Sequence, residues 1–407
     1  MRNRNKYRMQ IIEAASQEEI KKIMGEIKVD PYGIKIMAPK ATGFLLKINS
    51  VSNITANILK QEMLSLGADA AIARGALTGG VRITDCLLMG TLSQYLGLRE
   101  KLKRQPFGLD KLGEDIFTTL AGYQKNRFIL ALPQGVKIDI GKRTYLMGVI
   151  NITPDSFSND GLYAKPKSEI VKRALGLIDD GADIIDVGGE SSRPQAKPVR
   201  LSEELKRTIP VIRALSKRTK TPISIDTYKP DVAEQALDNG AGIINDITGL
   251  SSDKMLKVAS RYKATVVIMH MKGTPSDMQR SPEYSSVIEE LIGFFRARIE
   301  KARQAGIKED KIILDPGIGF GKTVRHNLEI LRRLKEFKIL GMPILIGTSR
   351  KSFLGKILNA ATQERIYGTV SSCILAAKNG ANILRVHDCL ALKQALKVLE
   401  AVDNYHL

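Results

Sequence analysis

The chain has 407 residues, of which 43% are hydrophobic and 5% aromatic, and its formal net charge is +20. No run of about 18 uncharged apolar residues occurs, so the sequence predicts no membrane-spanning segment and no membrane partner. The basic residues are spread along the chain without an aromatic-rich stripe, which disfavours nucleic-acid binding and favours small anionic substrates.

The three cysteines, Cys86, Cys373 and Cys389, are far apart and none forms a C-x-x-C pair. An odd number at such spacing disfavours a disulfide framework and is typical of a reducing compartment. The first residues are basic but no apolar segment follows them, so we predict no secretory signal. These features together predict a cytoplasmic protein.

Residues 1–130 are predicted to form an accessory α+β domain of unknown role. Hydrophobic periodicity predicts one strand at 43–48 and helices near 11–25, 56–66 and 85–103. The tetrapeptide Gln-Pro-Phe-Gly at 105–108 should end the third helix. No catalytic constellation is visible in this region.

From residue 145 onward, short runs rich in Val and Ile alternate with helical patterns. The predicted strands are 145–153, 183–189, 222–227, 243–247, 265–271, 312–319, 343–349 and 383–388. Eight strand–helix repeats within about 250 residues favour a closed parallel (β/α)8 TIM barrel over a doubly wound open sheet. We therefore predict a catalytic barrel over 131–407. A hairpin predicted over 136–147, with its turn at 141–142, could plug the amino end of the barrel.

Polar residues lie at or just after the ends of the predicted strands. They are Asn151, Asp186, Glu190, Asp226, Asn245, Asp315, Ser349, Arg350, Lys351, Arg385 and His387. In a parallel barrel such residues point into one shared mouth. Because burying so many polar groups is costly unless they serve a ligand, they are the candidate site.

The candidate residues have two chemical characters. Asp226, Asn245 and Asp315 suit a flat heterocycle with amino and ring N–H donors, such as a pterin or a guanine-like ring. The residues that are cationic, or can become so, are Arg193, Lys351, Arg385 and His387. They suit a phosphate group, which barrels often bind near strands seven and eight.

Two loops, 151–163 and 190–198, are long enough to act as lids over the mouth. The segment 317–323 resembles a nucleotide-binding phosphate loop, but that motif requires glycine where Pro316 stands, so a nucleoside triphosphatase is disfavoured. The four histidines are scattered, which disfavours a closed zinc site. A Mg²⁺ ion held by one protein oxygen and substrate phosphates is compatible with the residues.

These motifs resemble those of the dihydropteroate synthase family. The matching segments, in order, are 147–158, 186–194, 224–227, 245–246, 315–322, 347–352 and 385–388. The likeness extends from about residue 133 to the end, and residues 1–130 lie outside it. It implies a homodimeric, folate-synthesising transferase. Such an enzyme condenses 6-hydroxymethyl-7,8-dihydropterin diphosphate with p-aminobenzoate, giving 7,8-dihydropteroate and diphosphate.

The resemblance also implies roles for individual residues. The implied catalytic residues are Asp226, Lys351, Arg385 and His387. The implied pterin-binding residues are Asp226, Asn245, Met269, Asp315, Gly347 and Lys351. The implied diphosphate-binding residues are Asn151, Arg193, Arg385 and His387, with Asn151 also contacting Mg²⁺. The implied p-aminobenzoate pocket consists of Ser192, Pro194, Phe320, Lys351 and Ser352.

Three positions depart from the family pattern. Ser192 stands where threonine is usual, Gln195 where glycine is frequent, and 158–161 reads Ser-Asn-Asp-Gly. These changes bear on inhibitor response and loop closure rather than on the reaction class.

Two other functions fit parts of the pattern. A pterin-binding methyltransferase that passes a methyl group from a folate to a corrinoid protein would share the pterin acceptors, but not the diphosphate-suited residues of 349–351 and 385–387. A non-catalytic pterin-binding paralogue would be expected to lose charged strand-end residues, and here the set is intact.

Overall fold

The computed structural model describes residues 9–14, 16–133, 135–153, 162, 165–191, 193 and 196–403. They form two compact units, Met1–Leu120 and Ala121–Leu407. Among the described residues, no helix combines the length and the apolar character needed to cross a lipid bilayer.

The first unit contains a three-stranded antiparallel sheet in the order β1-β3-β2. Its strands are β1 (Gly43–Ser52), β2 (Asp69–Ile72) and β3 (Ile83–Thr91). Its helices are α1 (Gln17–Glu26), α2 (Pro31–Ala41), α3 (Asn53–Ser65), α4 (Arg74–Leu77), α5 (Leu92–Leu102) and α6 (Leu109–Gln124), the last of which continues into the second unit. One face of the sheet packs with α3 and α5 around Leu59, Met63, Leu88 and Leu98.

One helix predicted for this unit is partly wrong. The first half of 85–103 is strand β3, in which Thr84, Cys86 and Leu88 are buried and Asp85 is exposed. This alternation of period two fits a strand with one covered face, and it overrides the helical propensity of Leu and Met in the segment. A capping box formed by Thr91 with Gln94 then begins α5.

The second unit is a closed parallel barrel. Its strands are β6 (Tyr145–Asn151), β7 (Ile184–Gly188), β8 (Ile223–Asp226), β9 (Ile243–Asp246), β10 (Thr265–Met269), β11 (Ile312–Asp315), β12 (Leu345–Ile346) and β13 (Ile383–Val386). They are hydrogen-bonded in the order β11-β10-β9-β8-β7-β6-β13-β12, and a parallel bridge from Leu314 to Ile344 closes the ring. All eight predicted strands are present, and the predicted TIM barrel is confirmed.

Helices surround the barrel. They are α7 (Lys167–Asp179), α8 (Leu201–Ser216), α9 (Pro230–Asp238), α10 (Asp253–Tyr262), α11 (Val287–Gln304), α12 (Val324–Arg332), α13 (Ser352–Leu358), α14 (Ile366–Lys378) and α15 (Cys389–Asp403). Short 3-10 helices occur at Glu309–Lys311, Leu334–Leu340 and Thr362–Glu364. Helix α9 illustrates how the sequence determines a helix. Pro230 begins it, and Val232, Ala236 and Leu237 form its buried face.

A β-hairpin closes the amino end of the barrel. It consists of β4 (Phe128–Ala131) and β5 (Lys137–Ile140), which pair antiparallel. The hairpin's buried side chains form one cluster with apolar residues of the barrel strands: Phe128, Leu130, Leu132, Ile138, Ile140, Met147, Ile184, Ile243, Val267, Ile313, Leu345 and Ile383. A hairpin therefore plugs the amino end as predicted, but it is formed by 128–131 with 137–140 and not by the predicted 136–147.

The prediction that 136–140 pairs with 143–147 is wrong. Residues 143–147 lead into the barrel, where Tyr145 lies opposite Ile383 in a parallel pair, so their backbone groups are used there. Phe128–Ala131 pairs with β5 instead. The second unit accordingly begins before residue 131, where the sequence placed the domain boundary.

Candidate active site

A cleft that is partly open to solvent lies at the carboxyl ends of the barrel strands. Its lining residues are Asn151, Thr153, Glu190, Ser191, Arg193, Asp226, Asn245, Ile247, Met269, Asp315, Phe320, Gly347, Ser349, Lys351, Arg385 and His387. Each of the eight strands therefore contributes to one mouth, either by its last residues or by the loop that follows it.

Most of the candidate residues from the sequence lie in this cleft. Ser352 does not line it and is exposed at the start of α13. Ser192 and Pro194 lie outside the described residues, as does the 158–161 segment. Sequence reasoning missed Thr153, Ser191 and Ile247, although each lies within two residues of a nominated strand-end position.

Arg385 links the strands on one side of the mouth. Its Nε donates to Asp186 Oδ2 and its Nη2 to Asp226 Oδ2, both at 2.7 Å. Asn245 Nδ2 also donates to Asp186 Oδ2, at 3.1 Å. Asp186 is completely buried, so it serves as the anchor of this group, while Asp226, Asn245 and Arg385 line the cleft.

Burial is the largest influence on the pKa of two cleft carboxyl groups, Asp226 and Asp315. It raises the pKa of Asp226 to about 7, against the opposing effect of the Arg385 guanidinium and with a further increase from Asp186. Burial also raises the pKa of Asp315, which the Lys351 ammonium opposes. Asp226 is therefore poised to change its charge near neutral pH.

The loop after β11 brings Lys351 and Phe320 together. Lys351 Nζ donates to the backbone oxygen of Ile318 and lies 4.3 Å from the centre of the Phe320 ring. Burial lowers the pKa of Lys351 to about 8, partly offset by Asp315. The ammonium form of Lys351 therefore predominates at pH 7.

The glycines of this loop have a steric purpose. Gly317 has φ +67°, and a Cβ atom there would lie 2.0 Å from the backbone oxygen of His270. A Cβ atom at Gly321 would lie 2.3 Å from the oxygen of Lys272. Close backbone approach, rather than a nucleotide-binding loop, explains these residues.

His387 is a neutral hydrogen-bonding group. Its pKa is lowered to about 3, first by burial and then by the nearby Arg385. Its backbone N–H donates to Ser349 Oγ at 3.3 Å, and its Nδ1 lies 3.0 Å from the same oxygen. The Ser349 hydroxyl can then donate to Nδ1, which leaves Nε2 as the protonated nitrogen that can donate to a ligand.

Arg350 holds the turn between these groups rather than lining the cleft. Its backbone lies in the left-handed region, with φ 58°. Its side chain forms a bidentate pair with Asp388, at 3.0 and 2.5 Å, and its backbone N–H donates to Thr369 Oγ1 at 3.1 Å. These contacts place Lys351 and His387 on the same side of the mouth.

The residues present fit a loosely held Mg²⁺ ion. Within the described part of the chain, no three His, Cys, Asp or Glu side chains are grouped so that they could hold a metal. Asn151 ends β6 and offers a carboxamide oxygen to the cleft. Mg²⁺ keeps several waters and often relies on substrate phosphates, so one protein oxygen is a sufficient protein contribution.

Comparisons with known proteins agree with this geometry. Residues 147–387 match the family model described as pterin binding enzyme. The dihydropteroate synthase of Synechocystis sp. is 47% identical over 274 residues, 67% of this chain and 94% of that protein. A probable bifunctional folylpolyglutamate synthase/dihydropteroate synthase of Halobacterium salinarum is 38% identical over 386 residues. That alignment covers 95% of this chain, and the chain spans 46% of that protein.

A solved structure gives the same relationship. The dihydropteroate synthase of Xanthomonas albilineans with 4-aminobenzoic acid superposes with a TM-score of 0.64 and 39% identity, covering 69% of this chain and all of that one. The barrel unit accounts for this shared part, whereas the Halobacterium relative also aligns with most of the first unit. The chain therefore belongs to the pterin-binding enzymes and, within them, to the dihydropteroate synthase family.

Proposed function

We propose that the protein joins the methylene carbon of 6-hydroxymethyl-7,8-dihydropterin diphosphate to the amino nitrogen of p-aminobenzoate. In the net reaction the C–O bond to diphosphate breaks, a C–N bond to the amine forms, and the amine loses one proton. The observation that carries this proposal is a single cleft that presents carboxylate and amide acceptors beside Arg193, Lys351 and Arg385. A ligand with an N–H-rich ring at one end and a diphosphate at the other satisfies both halves.

The pterin ring is assigned to the strand-end acceptors. Asp315 uses Oδ1 to accept the Gly317 N–H at 2.7 Å, which fixes its carboxylate in orientation. Its second oxygen can accept from the ring's amino and N–H donors. Asn245 supplies an amide on the neighbouring side, and Met269 and Gly347 provide the walls.

The diphosphate is assigned to Arg193, Arg385 and His387. Arg385 uses Nε and Nη2 on carboxylates, so the N–H groups of Nη1 remain to donate to phosphate oxygens. The neutral His387 donates through Nε2. Asn151 would hold Mg²⁺ together with phosphate oxygens, and the bound ion would stabilise the negative charge of the leaving diphosphate.

The p-aminobenzoate ring is assigned to the wall formed by Phe320 and Lys351. An aryl amine is a weak nucleophile, so we expect diphosphate to leave first and a pterin methylene cation to form. Asp226, paired with Arg385, would stabilise that cation electrostatically. Release of diphosphate from the pterin substrate without the amine supports this order. Absence of such release, with no effect of Asp226→Asn on the chemical step, contradicts it.

The direct test is incubation with the pterin diphosphate, p-aminobenzoate and Mg²⁺, followed by an assay for dihydropteroate. We expect product from the wild type and at least a 100-fold loss with Lys351→Ala or Arg385→Ala. Lys378→Ala is a control, because Lys378 pairs with Asp403 on the barrel's outer helices. No product, but methyl transfer from a methylated folate to a corrinoid, would instead support the methyltransferase alternative.

Three further features are part of the proposal. Omitting Mg²⁺ and adding a chelator should reduce the rate of dihydropteroate formation, and this loss should be reversed by Mg²⁺. Light scattering of the purified protein should give the mass of a homodimer. Cell fractionation should recover the protein in the cytoplasm, where folate synthesis would take place.

A further inference from the structure

A partly buried polar cluster lies at the edge of the cleft and has no assigned role in the reaction. It consists of Glu190, Glu204, Thr227, Tyr228 and Lys229, which we call the Lys229 cluster. Lys229 Nζ donates to Glu190 Oε2 and to Glu204 Oε2, the latter at 2.5 Å. Thr227 Oγ1 donates to Glu204 Oε1 at 2.6 Å, and the Tyr228 hydroxyl donates to Glu190 Oε1 at 2.7 Å.

Glu190 connects this cluster to the loop after β7. It stands at the beginning of the loop, and its Oε2 accepts the backbone N–H of Val199 at 3.1 Å, at the other end. A single side chain therefore ties together both ends of the 190–199 segment. Ser191 and Arg193 of this segment line the cleft, as does Glu190 itself.

The position of Glu190 depends on the positive charge of Lys229. The exposed fraction of the side chain is 17% for Lys229, 12% for Glu190 and 1% for Glu204. Two poorly solvated carboxylates thus share one ammonium. Removing that ammonium leaves like charges facing each other with little water, which is costly, so Glu190 would be expected to leave its position.

A cluster that served only to stabilise the barrel could be replaced by packed apolar residues at little cost. Two of its members, Tyr228 and Lys229, instead donate to Glu190, the first residue of the loop. Arg207 also contacts the start of this loop. Its Nη1 donates to the backbone oxygen of Gly189, the residue before Glu190, at 2.8 Å.

We propose that Lys229 is a positioning residue for diphosphate binding, because through Glu190 it fixes the two ends of the loop from which Ser191 and Arg193 line the cleft. The proposal rests on the proposed function. Lys229 acts without touching either substrate, and the pterin ring, held by strand-end residues, does not depend on it.

The experiment compares full-length Lys229→Met, Lys229→Arg and Tyr228→Phe with the wild type. With Lys229→Met we expect the KM for 6-hydroxymethyl-7,8-dihydropterin diphosphate to rise at least tenfold. The dissociation constant of 6-hydroxymethylpterin, a ring without phosphate, should change less than threefold. Lys229→Arg keeps the positive charge and should recover part of the loss. Tyr228→Phe removes only one hydrogen bond to Glu190 and should raise the same KM by about threefold.

The matched control is Lys101→Met, which also breaks a lysine–glutamate pair, with Glu62 in the first unit, and should leave both constants unchanged. Equal weakening of 6-hydroxymethylpterin and pterin diphosphate binding, or an unchanged KM in the folded variants, overturns the proposal. If Lys229→Met does not fold, the change in the KM of Tyr228→Phe is compared with the change in its dissociation constant for 6-hydroxymethylpterin, and this comparison decides the question. A wild type that makes no dihydropteroate refutes the proposed function instead, and the two failures are thereby distinguished.

Discussion

Arg385 Nη2 lies 2.7 Å from Asp226 Oδ2, although the two residues are 159 positions apart in the chain. The pair is poorly exposed, with 22% of the arginine side chain and 12% of the aspartate side chain accessible. It joins the last barrel strand to the third and places a cation between Asp186 and Asp226 at the mouth of the barrel.

Arg385→Met should therefore damage both stability and reaction. It leaves Asp186 and Asp226 facing each other without their shared cation, and losing one partner of a buried pair costs about 3 kcal/mol. We expect the urea midpoint to fall and dihydropteroate formation to drop at least 100-fold. Arg385→Lys, which keeps the charge but not both hydrogen bonds, should be intermediate. Unchanged unfolding of Arg385→Met would show that the pair does not stabilise the barrel.

The pH dependence of the reaction should report on Asp226. Burial raises the pKa of Asp226 to about 7, and stabilising a cation requires the carboxylate form, which is lost as pH falls through that value. The rate of the chemical step should accordingly decline below about pH 7. Asp226→Asn should be slow at every pH and should lack this acidic limb in single-turnover measurements. An acidic limb that persists in Asp226→Asn would assign it to another group.

The barrel and most of its mouth could be predicted from the sequence for a specific physical reason. A parallel strand buried on both faces has to be a short apolar run, and the polar residue that ends it has to reach the mouth. Asp226 and Asp315 could be found in this way. The Arg385–Asp186 contact could not, because two residues 199 positions apart meet only when the ring closes.

Other predictions failed where local pattern does not decide the outcome. The alternation of apolar and polar residues over 136–140 is compatible with pairing to the segment before it or to the segment after it. Because Tyr145 pairs within the barrel, Phe128–Ala131 is left as the partner strand. Similarly, 83–91 contains good helix formers, but the face that α3 and α5 cover makes it a strand. In both cases tertiary contacts overrode local preference.

Gly317→Ala should disrupt the loop that carries Phe320. A Cβ atom at this position would lie 2.0 Å from the backbone oxygen of His270, and φ is +67°. We expect a loss of at least about 2 kcal/mol in unfolding free energy together with a strong loss of activity. Gly176→Ala is the matched control, since nothing lies within 4 Å of its Cβ position in α7, and helix propensity should make it neutral or stabilising.

The amino-terminal plug should contribute to stability without affecting substrate binding. Leu130 is 1% exposed in the plug cluster, whereas Ile129, next to it in β4, is 50% exposed. Leu130→Ala should lower the free energy of unfolding by about 2 to 5 kcal/mol, while Ile129→Ala should change it little. Chemical denaturation measures both. The KM values of the folded Leu130→Ala protein should stay close to the wild type, because the plug lies at the end of the barrel opposite the cleft.

A fragment of residues 121–407 should retain dihydropteroate formation. Every residue that lines the cleft belongs to this unit, and the Synechocystis relative matches only 67% of the chain. A fragment that starts at 133 should be far less stable, because it lacks Phe128 and Leu130 and leaves β5 without its partner strand. Equal rates for fragment 121–407 and the full chain would make the first unit dispensable for chemistry. A large loss of rate in a folded 121–407 fragment would instead give the first unit a part in the reaction.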